Sequence, residues 1–94
     1  MTIKNAIRKP MATVNSIGPK PGYMDAAAYK YLQNNLGKPL PISSIHYFDD
    51  GRLCSIAVYI PTTPYMLDDV IEVNMTTAML FHDETADVSL TYVD

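Results

Sequence analysis

Hydrophobic and polar residues alternate on both sides of Asp50-Gly51, and this pattern predicts a β-hairpin. Residues 42–49 and 52–60 form its strands, and the dipeptide between them suits a tight two-residue turn with positive φ. If Asp49 pairs with Arg52, one face becomes apolar and the other polar. The apolar inner face then contains Tyr47, Cys54, Ile45, Ile56, Val58 and Ile60.

The pattern of residues 25–36 predicts the single helix. Asp25 suits the helix N-terminus, Gly37 suits a left-handed position after the last turn, and Pro39 prevents continuation. One helical face carries the apolar residues Ala28, Leu32 and Leu36, together with Tyr29. We expect this face to lie on a sheet.

Three further strands complete the predicted fold. They cover residues 11–17, 70–81 and 88–92, and residues 65–69 are expected to form a loop. A helix at residues 76–81 is the competing interpretation. The order β-α-β-β-β-β predicts an α+β fold, with one helix packed on a mainly antiparallel sheet of about five strands. The last four strands are expected to form a meander.

A length of 94 residues predicts one α+β domain over residues 1–94, with a basic N-terminal segment at residues 1–10. The lone Cys54 argues against a small secreted domain, because such domains usually contain several disulfides. No apolar stretch is long enough for a signal peptide or a membrane span. We therefore expect a cytoplasmic protein, with a mitochondrial presequence as the alternative.

Charge divides unequally along the chain. Residues 1–38 contain six cations and one acid, or +5, whereas residues 39–94 contain Arg52 and nine acids, or −8. The two halves are expected to attract each other, within one molecule or between two copies. The alternative is a basic arm that binds an anionic partner. A pI near 5.1 and the lack of a basic stripe argue against nucleic-acid binding.

Residues that could support catalysis are few and poorly placed. Cys54 is predicted on the inner face of a strand, where cysteine usually acts as a small apolar residue. Ser43 and His46 alternate onto opposite faces, and His46 and His82 lack the spacing of zinc ligands. The acids after His82 are interpreted as a solvated turn, with weak cation binding as the alternative. We expect no enzyme activity, no metal site and no cofactor.

Seven tyrosines and six methionines indicate a binding surface instead. Core packing is expected to account for Tyr47, Met75, Met79 and Tyr92. The predicted binding surface consists of Tyr23, Tyr31, Tyr59 and Tyr65, with Lys20, Lys30 and Arg52 available for an anion.

The stretch from residue 9 to residue 81 resembles the first part of the GyrI-like, or AraC-type effector-binding, family. The resemblance is carried by residues 10–14 leading to Gly18, the helix at 23–36, the motifs at 47–50 and 55–61, and the strand ending in Phe81-His82. It implies a strand–helix–strand–strand unit and a pocket for small hydrophobic or cationic molecules. Too few residues separate Phe81 from Val88 for the second unit's helix, so a homodimer would have to complete the double unit.

These observations favour a non-enzymatic interaction protein of the inhibitor or regulator type. It is expected to bind a protein partner and to self-associate. The alternative is a small-ligand or nucleotide-binding protein, in which tyrosines stack on a ring. An enzyme that uses His46 or His82 is the third hypothesis.

Overall fold

One helix lies against a five-stranded antiparallel sheet in the computed structural model, which describes residues 9–61, 65–67, 70–72 and 75–93. For residues 65–67, 70–72 and 93, the description covers the backbone. The elements are β1 Lys9–Ile17, α1 Ala26–Asn34, β2 Pro39–Tyr47, β3 Leu53–Pro61, β4 Tyr65–Leu67, β5 Val70–Glu72, β6 Met75–Phe81 and β7 Ala86–Val93. The predicted α+β fold, with one helix and an antiparallel sheet of about five strands, is confirmed.

The sheet has the strand order β6-β3-β2-β1-β7, and β4 pairs with β5 in a separate hairpin. Only the four residues 82–85 join β6 to β7, although these strands lie at opposite edges of the sheet. The sheet must therefore curl until its two edges meet at this turn. Strand β2 pairs with a different neighbour along each part of its length: residues 39–41 pair with β1, and residues 42–47 pair with β3.

The predicted meander is wrong at its last strand. Strand β7 does not pair with β6, as a meander requires, but lies antiparallel to β1 along almost its whole length. The apolar pattern of both strands explains this partnership. Val14 stands opposite Val88, and Ala12 stands opposite Leu90, so the pairing encloses one continuous apolar face.

The core fills the space between the curled sheet and α1. It contains Ala12, Val14, Met24, Ala28, Leu32, Leu40, Ile56, Val58, Ile60, Ala78, Leu80, Ala86 and Val88. The predicted contribution of Ala28 and Leu32 is confirmed, but Leu36 lies beyond the end of α1 and is exposed. The side chain of Asp25 caps the helix by accepting a hydrogen bond from the N–H of Ala28 at 2.8 Å. Gly37 has φ +80°, as its place after the helix predicts.

The hairpin at Gly51 forms with a three-residue loop, and the predicted Asp49–Arg52 pair is wrong. The N–H of Phe48 donates to the carbonyl of Arg52 at 2.8 Å, and the N–H of Gly51 donates to the carbonyl of Phe48 at 2.9 Å. Gly51, at φ +90°, is the left-handed residue that such a loop requires. The extra loop residue shifts the strand register near the turn.

A bulge absorbs this shift. Ile45 stands opposite Ile56 as predicted, but Tyr47 stands opposite Leu53 and leaves Cys54 without an opposite residue. The predicted inner face therefore ends before the turn. Tyr47 is 54% exposed, and Cys54 is half-buried.

The segment from residue 65 to residue 81 also departs from prediction. The expected loop at residues 65–69 contains β4, and residues 73 and 74, between β5 and β6, lie outside the described residues. The competing helix at residues 76–81 is wrong, because these residues belong to β6. The core face of β6 carries Ala78 and Leu80, which are buried, whereas Met79, expected in the core, lies with Phe81 on the opposite side.

Two further residues expected in the core are exposed. Met75 and Tyr92 are each about half exposed, because both lie beyond the last buried residue of their strands. Met79, also expected in the core, is half-buried.

No helix within the described residues is long and apolar enough to cross a membrane. Of the basic segment at residues 1–10, Lys9 and Pro10 begin β1, and residues 1–8 lie outside the described residues.

Candidate functional site

The β2–β3 turn and the β6–β7 turn lie side by side and enclose an open recess of about 680 Å³. Antiparallel pairing brings the two turns together, since β2 and β6 both end where β3 begins. We call this concavity the turn recess; it is lined by Phe48, Arg52, Leu53, Cys54, Phe81, His82, Asp83 and Glu84.

The β2–β3 side of the turn recess is held by a local ion pair. Nε of Arg52 donates to Oδ2 of Asp50 at 2.6 Å, and the backbone N–H of Arg52 donates to Oδ1 of the same residue at 3.0 Å. These hydrogen bonds hold the pKa of the Asp50 carboxyl below its ordinary 3.8, the backbone bond being the larger cause. The guanidinium carbon lies 4.9 Å from the centroid of the Phe48 ring. Arg52 therefore lies between an acid and an aromatic ring.

The β6–β7 side is fixed by backbone hydrogen bonds. The carbonyl of Phe81 accepts from the N–H groups of Glu84 and Thr85 at 3.1 and 2.8 Å, and Asp83 N–H donates to Ala86 O at 2.9 Å. Asp83 has φ +66°, a left-handed conformation that aspartate and asparagine tolerate better than most residues. This tight turn directs the exposed carboxylates of Asp83 and Glu84 to the rim of the turn recess.

Electrostatics at this end of the sheet are strongly negative. The two turns and the start of β7 carry five exposed carboxylates, from Asp49, Asp50, Asp83, Glu84 and Asp87. Five negative groups against the single guanidinium of Arg52 give a formal charge of −4 with His82 neutral. The floor beneath them is apolar and contains Phe48, Leu53, Cys54 and Phe81. The arrangement can accept a group that is positively charged at one end and apolar along its length.

His82, Asp83 and Asp87 form the candidate cation site of the described residues. Their ligand atoms lie within 4.8 Å of one another, and Nε2 of His82 lies 3.5 Å from the Asp83 carboxylate. The N–H of Val88 donates to Nδ1 of His82 at 3.4 Å. Nδ1 of His82 therefore already accepts a backbone hydrogen bond, and Nε2 faces the Asp83 carboxylate. Exposed acidic groups of this kind are common without a bound ion, so the cluster alone assigns no metal.

Comparisons of the chain with protein-family models, curated proteins and solved structures found no match. The resemblance to the effector-binding family therefore stays a prediction.

Three of the four tyrosines predicted to share one surface have described side chains, and these three lie apart. Tyr23 is next to the turn recess, where its ring meets Phe81 edge to face at 5.9 Å. Tyr31 is half-buried against the core, and it lines a groove of about 350 Å³ between α1 and the end of β3. Tyr59 is 38% exposed and lies on the opposite face of the sheet, since its neighbours in β3 are core residues. Tyr65 begins β4, and its side chain lies outside the description.

Two of the three predicted cationic residues already have partners. Nζ of Lys20 donates to the carbonyl of Met24 at 3.0 Å, and Arg52 is paired with Asp50. Lys30 is exposed on α1. The three cations lie on different elements, and Arg52 alone belongs to the turn recess.

Sequence reasoning missed the apolar floor and the acidic rim as one site. A signal was present, because both turns begin with phenylalanine followed closely by acids: Phe48-Asp49-Asp50 and Phe81-His82-Asp83-Glu84. Each motif alone indicates an ordinary solvated turn. Only the pairing of β3 with β6, which sets Ser55 opposite Phe81, brings the two motifs together.

Proposed function

We propose that the protein acts by binding a protein partner, and that the turn recess receives a basic segment of that partner. The observation that carries this proposal is the joining of two acidic turns around one apolar floor. A lysine or arginine side chain suits such a site, because its aliphatic stem can cover Leu53 and Phe81 while its charged end meets the rim.

The expected contribution of the rim is modest. Exposed ion pairs contribute roughly 0.2–1 kcal/mol each, and salt screens them. Specificity and a fast association rate are therefore the main expected effects of the acids. A regulatory or inhibitory partner that binds and releases readily fits this energetic range.

The test is a titration of the isotopically labelled protein with two peptides of equal length, followed by NMR. One peptide alternates arginine with leucine, and the other alternates glutamate with leucine. We expect shifts of the backbone signals of Leu53, Phe81 and Glu84 with the basic peptide alone, and weaker binding at higher salt.

A charge-matched pair of variants separates the turn recess from net charge. The double substitution Asp83→Asn and Glu84→Gln removes two rim charges, and asparagine keeps the left-handed position of residue 83 acceptable. The control, Gln33→Lys with Asn34→Lys, changes net charge equally at exposed positions on α1. The rim variant should lose roughly 2- to 30-fold in affinity, which corresponds to two exposed ion pairs. Equal losses in both variants would contradict the proposal.

A small ligand is the second candidate, favoured by the groove beside Tyr31. This groove is lined by Asp25, Ala27, Ala28, Tyr31, Ile60, Pro61 and Thr76, and its volume of about 350 Å³ suits a small molecule. Because Asp25 is engaged in capping α1, an apolar neutral compound fits the lining best. A thermal-shift screen would reveal such a ligand, and its stabilisation should disappear in Tyr31→Ala. Stabilisation that persists in this variant would place the ligand elsewhere.

A further inference from the structure

Strand β7 is an edge of the sheet, and among the described residues its strand partner is β1 alone. An edge strand exposes a row of backbone N–H and C=O groups that can pair with another chain. Two contacts show which residues of β7 point their backbone N–H and C=O groups away from β1.

The first contact is the hydrogen bond from Val88 N–H to His82, which lies outside the β1–β7 ladder. Backbone groups of residues two apart point the same way along a strand, so those of Leu90 and Tyr92 also point away from β1. The second contact agrees with this assignment. Tyr92 stands opposite Pro10, which has no N–H to donate to β7.

The free edge of β7 lacks the features that usually protect such an edge. Over residues 86–93 it contains one charged residue, Asp87, near its start, and no lysine or proline. On the opposite edge, the hydroxyl of Tyr23 donates to the carbonyl of Met79 on β6 at 3.0 Å. Side chains thus occupy one backbone group on each edge, Met79 C=O on β6 and Val88 N–H on β7. Among the described hydrogen bonds, the outward groups of Leu90 and Tyr92 have no such contact, so this end of β7 can accept another strand.

We propose that a second copy of this chain pairs along β7, antiparallel and related by a two-fold axis near Thr91. Such an interface is self-complementary, since each copy contributes the same strand. Tyr92, about half exposed in the single chain, then stands opposite Leu90 of the second copy, and the N–H of Val88 keeps its hydrogen bond to His82. On the other face, the Thr91 residues of the two copies stand opposite each other as a hydroxyl pair. Asp87 lies outside the paired segment, so no like charges are directly opposed.

The test measures molar mass by light scattering and sedimentation, with proline placed on each edge in turn. Tyr92→Pro removes an outward N–H and blocks the β7 edge. Thr77→Pro does the same on β6, since Thr77 lies two residues from Met79 and points the same way. We expect wild type and Thr77→Pro to form a dimer of twice the monomer's 10.5 kDa. Tyr92→Pro should raise the dissociation constant about tenfold or more, because each copy loses an edge hydrogen bond.

Two further variants keep the inference testable if a proline disturbs folding. Tyr92→Lys places a charge on the exposed end of the strand and should also produce monomers, whereas Tyr92→Phe should remain dimeric. Circular dichroism checks that each variant is folded. A wild-type protein that stays monomeric at high concentration would overturn the proposal, as would a dimer that survives both Tyr92→Pro and Tyr92→Lys. Loss of the dimer in Thr77→Pro alone would assign the interface to β6 instead.

Discussion

Replacing Tyr23 by phenylalanine tests whether the hydroxyl of this half-exposed side chain links the loop before α1 to β6 and to the β6–β7 turn. The hydroxyl of Tyr23 lies 3.0 Å from the carbonyl of Met79 and 2.8 Å from Oγ1 of the buried Thr85. It thereby joins the loop before α1 to both β6 and the turn that starts β7. The same loop is attached a second time, because the N–H of Gly18 donates to the carbonyl of Thr85 at 3.0 Å.

The expected loss follows from two hydrogen bonds. Each contributes roughly 0.5–1.5 kcal/mol, and the partial exposure of the site favours the lower half of this range, so Tyr23→Phe should cost about 1–2 kcal/mol. For a domain of this size, such a loss lowers Tm by roughly 4–16 °C. The assay is thermal unfolding followed by circular dichroism, with urea unfolding as a second measurement.

Tyr47→Phe is the matched control. Tyr23 and Tyr47 have the same exposed fraction, 54%, but the described hydrogen bonds include the hydroxyl of Tyr23 and not that of Tyr47. Removal of the Tyr47 hydroxyl should therefore change stability by less than about 0.5 kcal/mol, as is usual for surface substitutions. If both variants lose the same stability, the bridging role of Tyr23 is refuted. A double-mutant cycle of Tyr23→Phe with Thr85→Val then isolates the contribution of the hydroxyl pair.

Three further predictions concern the helix, the core and the first turn. Gly37→Ala should lower the free energy of unfolding by about 1–2 kcal/mol, because residue 37 has φ +80°. Gly22→Ala should leave it almost unchanged, since the added Cβ meets open space, and urea unfolding measures both variants. Leu32→Ala should lower the free energy of unfolding by about 2–5 kcal/mol, since this side chain is fully buried. An unchanged midpoint of urea unfolding would contradict the packing of Leu32 in the core. The lowered pKa of the Asp50 carboxyl stabilises the folded state above pH 3.8, and this stability is lost as pH falls through the folded-state pKa. Arg52→Ala should raise the pKa of Asp50 only in part, because the backbone hydrogen bond remains, and an NMR titration of the carboxyl measures this change.

Local signals in the sequence predicted most of the secondary structure, and long-range pairing explains most of the errors. Asp25 and Gly37 bound the helix through contacts within a few residues, so their roles could be inferred directly. The loop length at Gly51 was harder, because two- and three-residue loops share the same residue preferences. One extra loop residue then moved Cys54 into a bulge and left Tyr47 exposed.

The partner of β7 could not be predicted, because a short turn after β6 normally returns the chain to its neighbour. Here β1 offers a longer apolar match, and the sheet curls so that the turn still closes. The pairing of β2 and β6 with β3 places the acidic turns beside each other, and the pairing of β7 with β1 leaves β7 as an edge.

The two proposals rest on different strand pairs and can be separated by experiment. The turn recess is built from the ends of β2, β3 and β6, whereas the proposed dimer uses the backbone of β7 beyond Val88. Val88 connects them, since its N–H reaches His82 at the recess. Substitutions at Tyr92 leave every residue that lines the recess in place, and the substitutions at Asp83 and Glu84 leave the outward groups of Leu90 and Tyr92 unchanged. Peptide binding should therefore survive in the Tyr92→Lys monomer, and the dimer should survive in the rim variant. Loss of both properties in either variant would mean that the turn recess and the β7 edge are one interface.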